Sequence, residues 1–218
     1  KPVRRQSEHP GDYEKIVNRL GQMGLLYPCF CTRREILLEI ERSGGAPHGK
    51  EGPVYPGTCR SLGVEERQQR IEEGQGHALR LDLGASLERV EMEALGWSDI
   101  EQGEQQPDRT TWEEIGDVVL VRKDIGTSYH IAVVGDDALQ GITHVIRGLD
   151  LLDSTPIHRL LQALLGLPHP DYLHHALVRD EQGKRLAKRD ESCSLFSLRE
   201  RGVTPAEVRQ RLQLPPLS

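Results

Sequence analysis

The chain has 218 residues, a formal net charge of −6 and four cysteines. That length fits one domain, or one domain with a small insert, and the acidic balance excludes a surface built throughout for phosphate, although a local basic patch can still bind RNA. No apolar run has the length of a membrane span and no apolar leader opens the chain. The chain begins at Lys1 and not at Met, so we expect its natural N-terminus to lie upstream.

The first part of the chain carries two predicted helices and a loop. Apolar residues recur at helical spacing over residues 13–20 and predict the first helix. Thr32 and Glu35 have the spacing of a capping box, which predicts that the second helix begins there. Residues 43–60 are rich in Gly and Pro and are predicted to be loop. The residues of the second helix that we expect to face inward are Ile36, Leu37 and Ile40.

The rest of the chain alternates between predicted strands and helices. Apolar, β-branched runs at residues 118–121 and 142–146 predict two strands. The Thr-Pro pairs at residues 155–156 and 204–205 predict helix starts, and Gly166 predicts the end of the first of these helices. This alternation favours an α/β fold with a parallel sheet.

Three cysteines form a candidate metal site. Cys29 and Cys31 can face one ion across a tight turn, and Cys59 can close the intervening loop onto it, as in structural zinc sites. The fourth ligand is open, and on chemistry alone His48 is the stronger candidate. The alternative is a set of free or buried thiols, and Cys193 is expected to take no part. Cysteines in this pattern do not indicate a secreted disulfide framework, so we expect a cytoplasmic protein.

A cation and an aromatic residue mark a candidate ligand pocket. Arg147 ends the run ITHVIRG, so it is predicted at the C-terminal end of a strand, where open α/β sheets bind their ligands. A planar guanidinium is well suited to hold a carboxylate. Tyr129 lies upstream in TSYHIAVVGDD. Taken alone, a surface ion pair for Arg147 and a core position for Tyr129 are the simpler interpretations.

Other polar residues receive structural interpretations. Asp136 and Asp137 are predicted to cap a helix, in preference to holding a ribose hydroxyl. His174 and His175 are neighbours on a predicted strand, and adjacent side chains on a strand face opposite ways. One of them is therefore predicted in the core and the other on the surface. His144 is also predicted to be structural.

A basic segment, GKRLAKRD, follows the run YLHHALV. By itself such a segment is typical of a solvated surface or of an unspecific nucleic-acid patch. The order of the motifs, from RRQSEH to GKRLAKRD, resembles the catalytic domain of glutamyl-tRNA synthetases, and most nearly the short branch called glutamyl-Q tRNA(Asp) synthetases. The resemblance covers most of the chain.

The resemblance implies an α/β fold, a Rossmann-like class I synthetase catalytic domain with a small zinc-binding insert. The domain is expected to be N-terminally incomplete, since the family's HIGH-type nucleotide motif has no counterpart in this sequence. The implied divisions are part of the catalytic domain at residues 1–28, the insert at residues 29–60, further catalytic domain at residues 61–192 and a helical end at residues 193–218.

The resemblance also implies roles for single residues. Tyr55 becomes the fourth zinc ligand beside the three cysteines, and Tyr129 and Arg147 contact glutamate. The basic segment corresponds to the KMSKS loop of class I synthetases. In that loop Lys188 is the catalytic lysine that neutralises the phosphates as pyrophosphate leaves, and Arg185 supplies a second ATP-binding cation.

The implied reaction is the ATP-dependent activation of L-glutamate, with magnesium accompanying ATP, and transfer of the glutamyl group to queuosine in the anticodon of tRNA(Asp). Few residues follow the basic segment, which favours this branch over an enzyme with an anticodon-binding domain. We expect a monomer that does not bind membranes. Two alternatives stay open: a fragment of a full-length glutamyl-tRNA synthetase that charges tRNA(Glu), and a non-catalytic, zinc-containing tRNA-binding remnant. Because half of the expected nucleotide site is missing, the 218-residue chain alone is expected to be nearly inactive.

Overall fold

The structure is a computed structural model, and it describes residues 3–42, 48–49, 52–124, 126–179 and 194–212. The chain divides into a larger unit, Lys1–Arg147 with Leu151–His174, and a smaller unit, Gly148–Asp150 with His175–Ser218. Within the described ranges, none of the helices combines the length and the apolar character needed to span a bilayer.

The described helices and strands alternate along the chain, in keeping with an α/β fold. The helices are α1 (Pro10–Gln22), α2 (Arg33–Arg42), α3 (Val64–Glu72), α4 (Leu83–Leu87), α5 (Arg109–Ile115), α6 (Tyr129–Gln140), α7 (Thr155–Leu165), α8 (Leu195–Glu200) and α9 (Pro205–Arg211). The strands are β1 (Leu26–Cys29), β2 (His48–Gly49), β3 (Gly52–Pro53), β4 (Ala78–Leu81), β5 (Trp97–Asp99), β6 (Gly103–Gln105), β7 (Val119–Val121), β8 (His144–Gly148) and β9 (Asp171–His175).

Two sheets organise the larger unit. One has the strand order β1-β4-β7, and both of its strand pairs are antiparallel. The other has the order β6-β5-β9-β8, with β5 parallel to β9 and antiparallel to β6. The expected parallel pairing therefore holds for β5 with β9, but it is wrong for the strand predicted at residues 118–121. An apolar run indicates that a strand is buried and leaves its direction open.

Local signals placed the starts of α2, α7 and α9 and the end of α7. The capping box at α2 is present: the Glu35 N–H donates to Thr32 Oγ1 at 3.2 Å, and the Thr32 N–H donates to Glu35 Oε2 at 2.6 Å. Gly166 ends α7 in the left-handed conformation, with a φ of 61°. The inward prediction for Leu37 is wrong, because its side chain is 42% exposed while Ile40 on the same helix is buried.

The helix-capping prediction for Asp136 and Asp137 is also wrong, because α6 continues through both residues to Gln140. Asp136 instead lies buried in the middle of the helix. Its carboxylate accepts hydrogen bonds from the Tyr13 hydroxyl at 3.0 and 3.1 Å and from Arg4 Nε at 2.7 Å. Burying a carboxylate is tolerated here because charged and polar donors surround it. These bonds attach the start of the chain to α6.

The buried apolar residues of the larger unit form two clusters. The main core lies where α1, α6 and α7 pack together, and it includes Leu20, Leu81, Leu120, Ile131, Leu160 and Leu161. A second, smaller cluster lies beside the end of β1 and consists of Tyr27, Cys29, Phe30, Tyr55 and Cys59. This cluster contains Cys29, Tyr55 and Cys59, and Cys31 packs against it, so it brings the four predicted metal ligands together.

Asp117 links the two clusters. Its side chain is 4% exposed. The carboxylate accepts hydrogen bonds from the Tyr27 hydroxyl, from Arg60 Nη1 at 3.0 Å and from the backbone N–H of Leu83 at 3.0 Å. Tyr27 belongs to the smaller cluster and Leu83 to the main core. A single buried carboxylate therefore fixes the start of β7 against both.

We expect Asp117→Ala to reduce the free energy of unfolding by roughly 2–5 kcal/mol, because it leaves the buried Tyr27 hydroxyl and the Leu83 N–H without their acceptor. Urea titration followed by tryptophan fluorescence measures this loss. Asp124→Ala is the matched control: this exposed carboxylate pairs with Arg122 at the surface, so its removal should cost less than about 1 kcal/mol. Equal losses in the two variants would contradict the linking role.

Candidate functional site

The candidate metal centre brings together Cys29, Cys31 and Cys59. Their sulfur atoms lie within 4.8 Å of one another, and those of Cys31 and Cys59 are 3.4 Å apart. The hydroxyl of Tyr55 lies 3.4 Å from the sulfur of Cys29 and 3.7 Å from that of Cys31. Three thiols and a phenol thus converge on one point, a donor set that fits a four-coordinate zinc ion. The side chain of His48 lies outside the described residues.

The thiols of this centre are not all ready to bind a cation. Burial and a hydrogen bond with Cys59 raise the pKa of the Cys31 thiol to about 12. Burial also acts to raise the pKa of Cys59, but hydrogen bonds from Tyr55 and from the Phe30 N–H outweigh it and leave that pKa below its usual value. Metal binding at this centre therefore has to release protons.

Tyr55 has a cationic neighbour. The guanidinium carbon of Arg80 lies 3.8 Å from the centre of the Tyr55 ring, and the Cys59 N–H donates to the Tyr55 hydroxyl at 2.9 Å. Burial, together with a hydrogen bond to Cys29, raises the pKa of the phenol. The N–H at the oxygen favours negative charge on Tyr55, against the effect of burial.

The second candidate site centres on the half-buried side chain of Arg147, near the end of β8. Its guanidinium donates hydrogen bonds to groups on α6, α7 and β9. Nε donates to His174 Nε2 at 2.9 Å, Nη2 to Thr155 Oγ1 at 2.7 Å, and Nη1 to the Tyr129 hydroxyl and to His158 Nδ1, both at 3.2 Å. Each of these acceptors is uncharged when the imidazoles are neutral. Within the described part of the chain, no carboxylate is hydrogen-bonded to Arg147.

His174 is oriented by a carboxylate on its far side. Its Nδ1 contacts Asp99 Oδ2, and both side chains are fully buried. Burial acts to raise the pKa of Asp99, but the hydrogen bond from His174 and those from the N–H groups of Gln102 and Glu101 outweigh it, so that the pKa lies below its usual value. Asp99 is therefore ionised and accepts the proton on Nδ1 of His174.

His158 is held neutral in a similar way. Its Nδ1 faces Arg147, and its Nε2 lies 3.1 Å from Nδ1 of His130. Burial, reinforced by the neighbouring His130 and Arg147, lowers the pKa of His158 well below 6.5. His130 is half-buried and lines a cavity of about 530 Å³ whose lining also includes Tyr55. His158 is therefore an acceptor for Arg147 and a donor toward His130.

The structure tests the sequence predictions unevenly. It brings Tyr129 and Arg147 into contact, and it brings Cys29, Cys31, Tyr55 and Cys59 into one cluster. Tyr129 is 44% exposed, so it is not a core aromatic residue. The basic segment with Arg185 and Lys188 lies outside the described residues.

The paired histidines on β9 behave as predicted: His174 is buried and His175 is exposed. The sequence analysis missed Asp99 and His158, which support Arg147 from two sides. Asp99 lies 48 positions before Arg147 in the chain and shows no pattern that connects the two. His158 lies in α7 beside two other buried polar residues, Arg159 and Gln162, so its position in a largely apolar helix did not single it out.

Comparisons with known proteins agree with the motifs. Residues 1–214 match the family model described as tRNA synthetases class I (E and Q), catalytic domain. A glutamyl-Q tRNA(Asp) synthetase of Rhodobacter capsulatus is 46% identical over 98% of this chain and 76% of its own length. A glutamate–tRNA ligase 2 of Alkalilimnicola ehrlichii is 39% identical over 93% of this chain and 40% of its own. The crystal structure of a glutamate tRNA ligase from Elizabethkingia meningosepticum, in complex with its amino acid, superposes with a TM-score of 0.67 at 28% identity and covers 88% of this chain and 38% of its own.

The chain therefore belongs to the class I tRNA synthetases of the glutamate and glutamine group, a family of ATP-dependent ligases, and the match lies in the catalytic domain. Within that group it resembles the glutamyl-Q tRNA(Asp) synthetases, as the motifs predicted. The chain spans between 59% and 65% of three further relatives of that name.

The neutral state of His158 predicts a pH dependence of stability. In the unfolded chain this imidazole binds a proton below its usual pKa of 6.5, whereas in the folded protein it stays neutral to much lower pH. The contribution of His158 to the unfolding free energy is therefore constant above pH 6.5 and falls below it, by up to about 1.4 kcal/mol per pH unit. His158→Asn keeps an acceptor toward Arg147 and cannot titrate, so it should flatten this slope. Urea titrations between pH 5 and 7.5 on the unaltered protein and on this variant measure the difference.

Proposed function

We propose that this protein activates L-glutamate with ATP and transfers the glutamyl group to queuosine in the anticodon of tRNA(Asp). The observation that carries the proposal is the state of Arg147, a half-buried cation whose described hydrogen-bond partners are uncharged. Such a cation keeps its charge available for an anionic ligand, and the glutamyl-Q tRNA(Asp) synthetases among its relatives act on a substrate with a side-chain carboxylate.

Tyr129 supports the same assignment. Its hydroxyl accepts a hydrogen bond from Arg147 at 3.2 Å, and the side chain is 44% exposed. A tyrosine hydroxyl that accepts one bond still has its own proton to donate. Arg147 and Tyr129 together therefore offer a positive charge and a second donor to one carboxylate, and a ligand can approach Tyr129 from solvent.

The activation step is an attack of the α-carboxylate of glutamate on the α-phosphate of ATP, which gives glutamyl-adenylate and pyrophosphate. Holding the side-chain carboxylate at Arg147 and Tyr129 would fix the other end of the amino acid for in-line attack. Lys188 and Arg185 are the proposed cations for the phosphates, with magnesium on ATP. Their assignment rests on the sequence motif, since both lie outside the described residues.

Arg147→Ala should raise the KM for glutamate by the equivalent of roughly 2–5 kcal/mol of binding free energy, because it leaves the substrate carboxylate without its cation. The KM for ATP should stay constant. Glutamate-dependent pyrophosphate exchange by the natural full-length protein measures both. Arg122→Ala, which removes an exposed arginine paired with Asp124, is the control. A variant at position 147 that is folded and retains the KM for glutamate would refute the assignment.

The tRNA that receives the glutamyl group distinguishes two candidate functions. The similarity to a glutamate–tRNA ligase 2 favours, as the second candidate, charging of tRNA(Glu) at its 3′ end. With labelled glutamate, we expect label on tRNA(Asp) that carries queuosine, and none on queuosine-free tRNA(Asp) or on tRNA(Glu). The second candidate would be favoured if tRNA(Glu) became labelled and if prior oxidation of its 3′-terminal ribose prevented that labelling.

The cysteine cluster is proposed as a structural zinc site with Cys29, Cys31, Tyr55 and Cys59 as ligands. Zinc bound there would cross-link the end of β1 to the turn before α3, which lie far apart in the chain. The donor set and its spacing fit zinc. This assignment gives the cluster a role in holding the fold.

Purified protein should therefore contain about one zinc per chain, and Cys29→Ser should lose it together with the local structure of residues 29–59. Elemental analysis measures the metal, and limited proteolysis followed by mass spectrometry locates the loosened segment. Cys193→Ser is the control and should keep the metal. Absence of zinc from the unaltered protein, even after refolding with zinc, would exclude the site.

A further inference from the structure

The pair formed by Asp99 and His174 lies behind Arg147 and is not needed as a direct contact in the proposed reaction. We propose that Asp99 and His174 are positioning residues, which fix the guanidinium of Arg147 in the orientation that receives the substrate carboxylate. Asp99 sets which nitrogen of His174 carries the proton, and the other nitrogen then holds Arg147. The inference rests on the proposed function in one respect, the role of Arg147 as the glutamate-binding cation.

The two oxygens of Asp99 have separate partners. Oδ1 accepts the backbone N–H groups of Glu101 and Gln102, each at 3.0 Å, in the turn after β5. That arrangement fixes the carboxylate and directs Oδ2 toward Nδ1 of His174. Asp99 is 2% exposed and His174 is 1% exposed, so water does not compete at this contact. An ionised carboxylate only accepts hydrogen bonds, so Nδ1 must carry the proton.

The opposite nitrogen of His174 then carries a lone pair that can accept a hydrogen bond. Nε2 lies 2.9 Å from Nε of Arg147, which always carries a hydrogen and can only donate. A proton on Nε2 would place two donors against each other at that distance. The ring is also held by the parallel ring of Tyr172, with the centroids 5.7 Å apart and an angle of 11° between the planes. Thr155 Oγ1 also lies 3.4 Å from Nε2, a longer contact than that of Arg147. The tautomer that Asp99 selects satisfies the contacts with Asp99 and Arg147 together.

The orientation of Arg147 matters because few of its hydrogens remain for a ligand. A guanidinium has five N–H groups. Four of them are directed at His174, Thr155, Tyr129 and His158, which leaves a single hydrogen on Nη2 within the described part of the chain. A carboxylate must therefore meet this one hydrogen and the Tyr129 hydroxyl. Rotation of the guanidinium would turn that hydrogen away while the positive charge stayed in place.

Asp99→Asn tests the tautomer with little change in shape. The Asn Oδ1 can still accept the N–H groups of Glu101 and Gln102, while its NH₂ group replaces Oδ2 and donates to Nδ1 of His174. The proton of His174 should then move to Nε2 and oppose Arg147. Nitrogen-15 NMR of the imidazole, on the 218-residue chain, should report Nδ1–H in the unaltered protein and Nε2–H in the variant. Nε2–H in the unaltered protein would overturn the proposal.

Kinetic measurements on the natural full-length protein test whether the orientation of Arg147 affects glutamate binding. Asp99→Asn should raise the KM for glutamate roughly 10- to 100-fold, the effect of losing a hydrogen bond to a charged group. The KM for ATP should change little, because the pair acts on the glutamate-binding cation. Asp124→Asn makes the same carboxylate-to-amide change at an exposed position and should leave both constants unaltered. An equal rise in both KM values would indicate a structural role alone and overturn the proposal.

Two variants of His174 distinguish the loss of the hydrogen-bond acceptor for Arg147 from the loss of packing. His174→Gln offers an amide oxygen near the position of Nε2, whereas His174→Leu offers no acceptor. Both remove the partner of Asp99, so they should be destabilised alike, but the KM for glutamate should rise much less in His174→Gln. Equal KM values in the two would overturn the positioning role. If Arg147→Ala itself left the KM for glutamate unchanged, the proposed function would fail, whereas the tautomer measurement would still report on the pair.

Discussion

The guanidinium of Arg147 is a cation fastened inside the protein by groups that carry no charge of their own. Burying a charge is tolerated only when hydrogen bonds replace the lost water, and here α6, α7 and β9 each supply an acceptor. The same bonds hold these three elements around one point. The fold and the availability of the positive charge therefore depend on the same set of contacts, so a substitution that loosens one also changes the other.

Asp117 is a buried negative charge that joins separate parts of the fold, as the positive charge of Arg147 does. It accepts from Tyr27 in the cluster that contains the cysteines and from Leu83 in the main core. The cysteine cluster is smaller than the main core, so cross-links contribute more to its stability. Asp117 supplies one cross-link through its hydrogen bond with Tyr27. The proposed metal would supply a second through the cysteine sulfur atoms.

The sequence predicted those features that depend on neighbouring residues. The capping box of Thr32 and Glu35 forms as expected, and Gly166 ends α7, because a cap or a left-handed turn depends on a few adjacent positions. The family motifs predicted that Tyr129 and Arg147 line one glutamate pocket, and the two side chains are in contact in the structure. A family motif implies which residues lie close together in space, and the spacing of these residues along the chain does not.

The missed features depend on residues that are far apart in the chain. Asp136 was assigned to a helix cap because acidic residues are common there, but its donors come from the start of the chain. Asp99 supports His174 across a parallel strand pair, β5 with β9, and no local pattern records that pairing. The direction of β7 was missed for a similar reason, since burial of Leu120 is compatible with either direction.

The attachment of the first residues to α6 has a mechanical consequence. Asp136 and Tyr129 are seven positions apart in one helix, about two turns and roughly 10.5 Å along its axis, so they lie on nearly the same side of it. Arg4 and Tyr13 hold Asp136 and thereby set the rotation of α6 about its own axis. That rotation decides where the Tyr129 hydroxyl points. Arg4, before α1, and Tyr13, within α1, thus help to fix the direction of a side chain two helical turns away on α6.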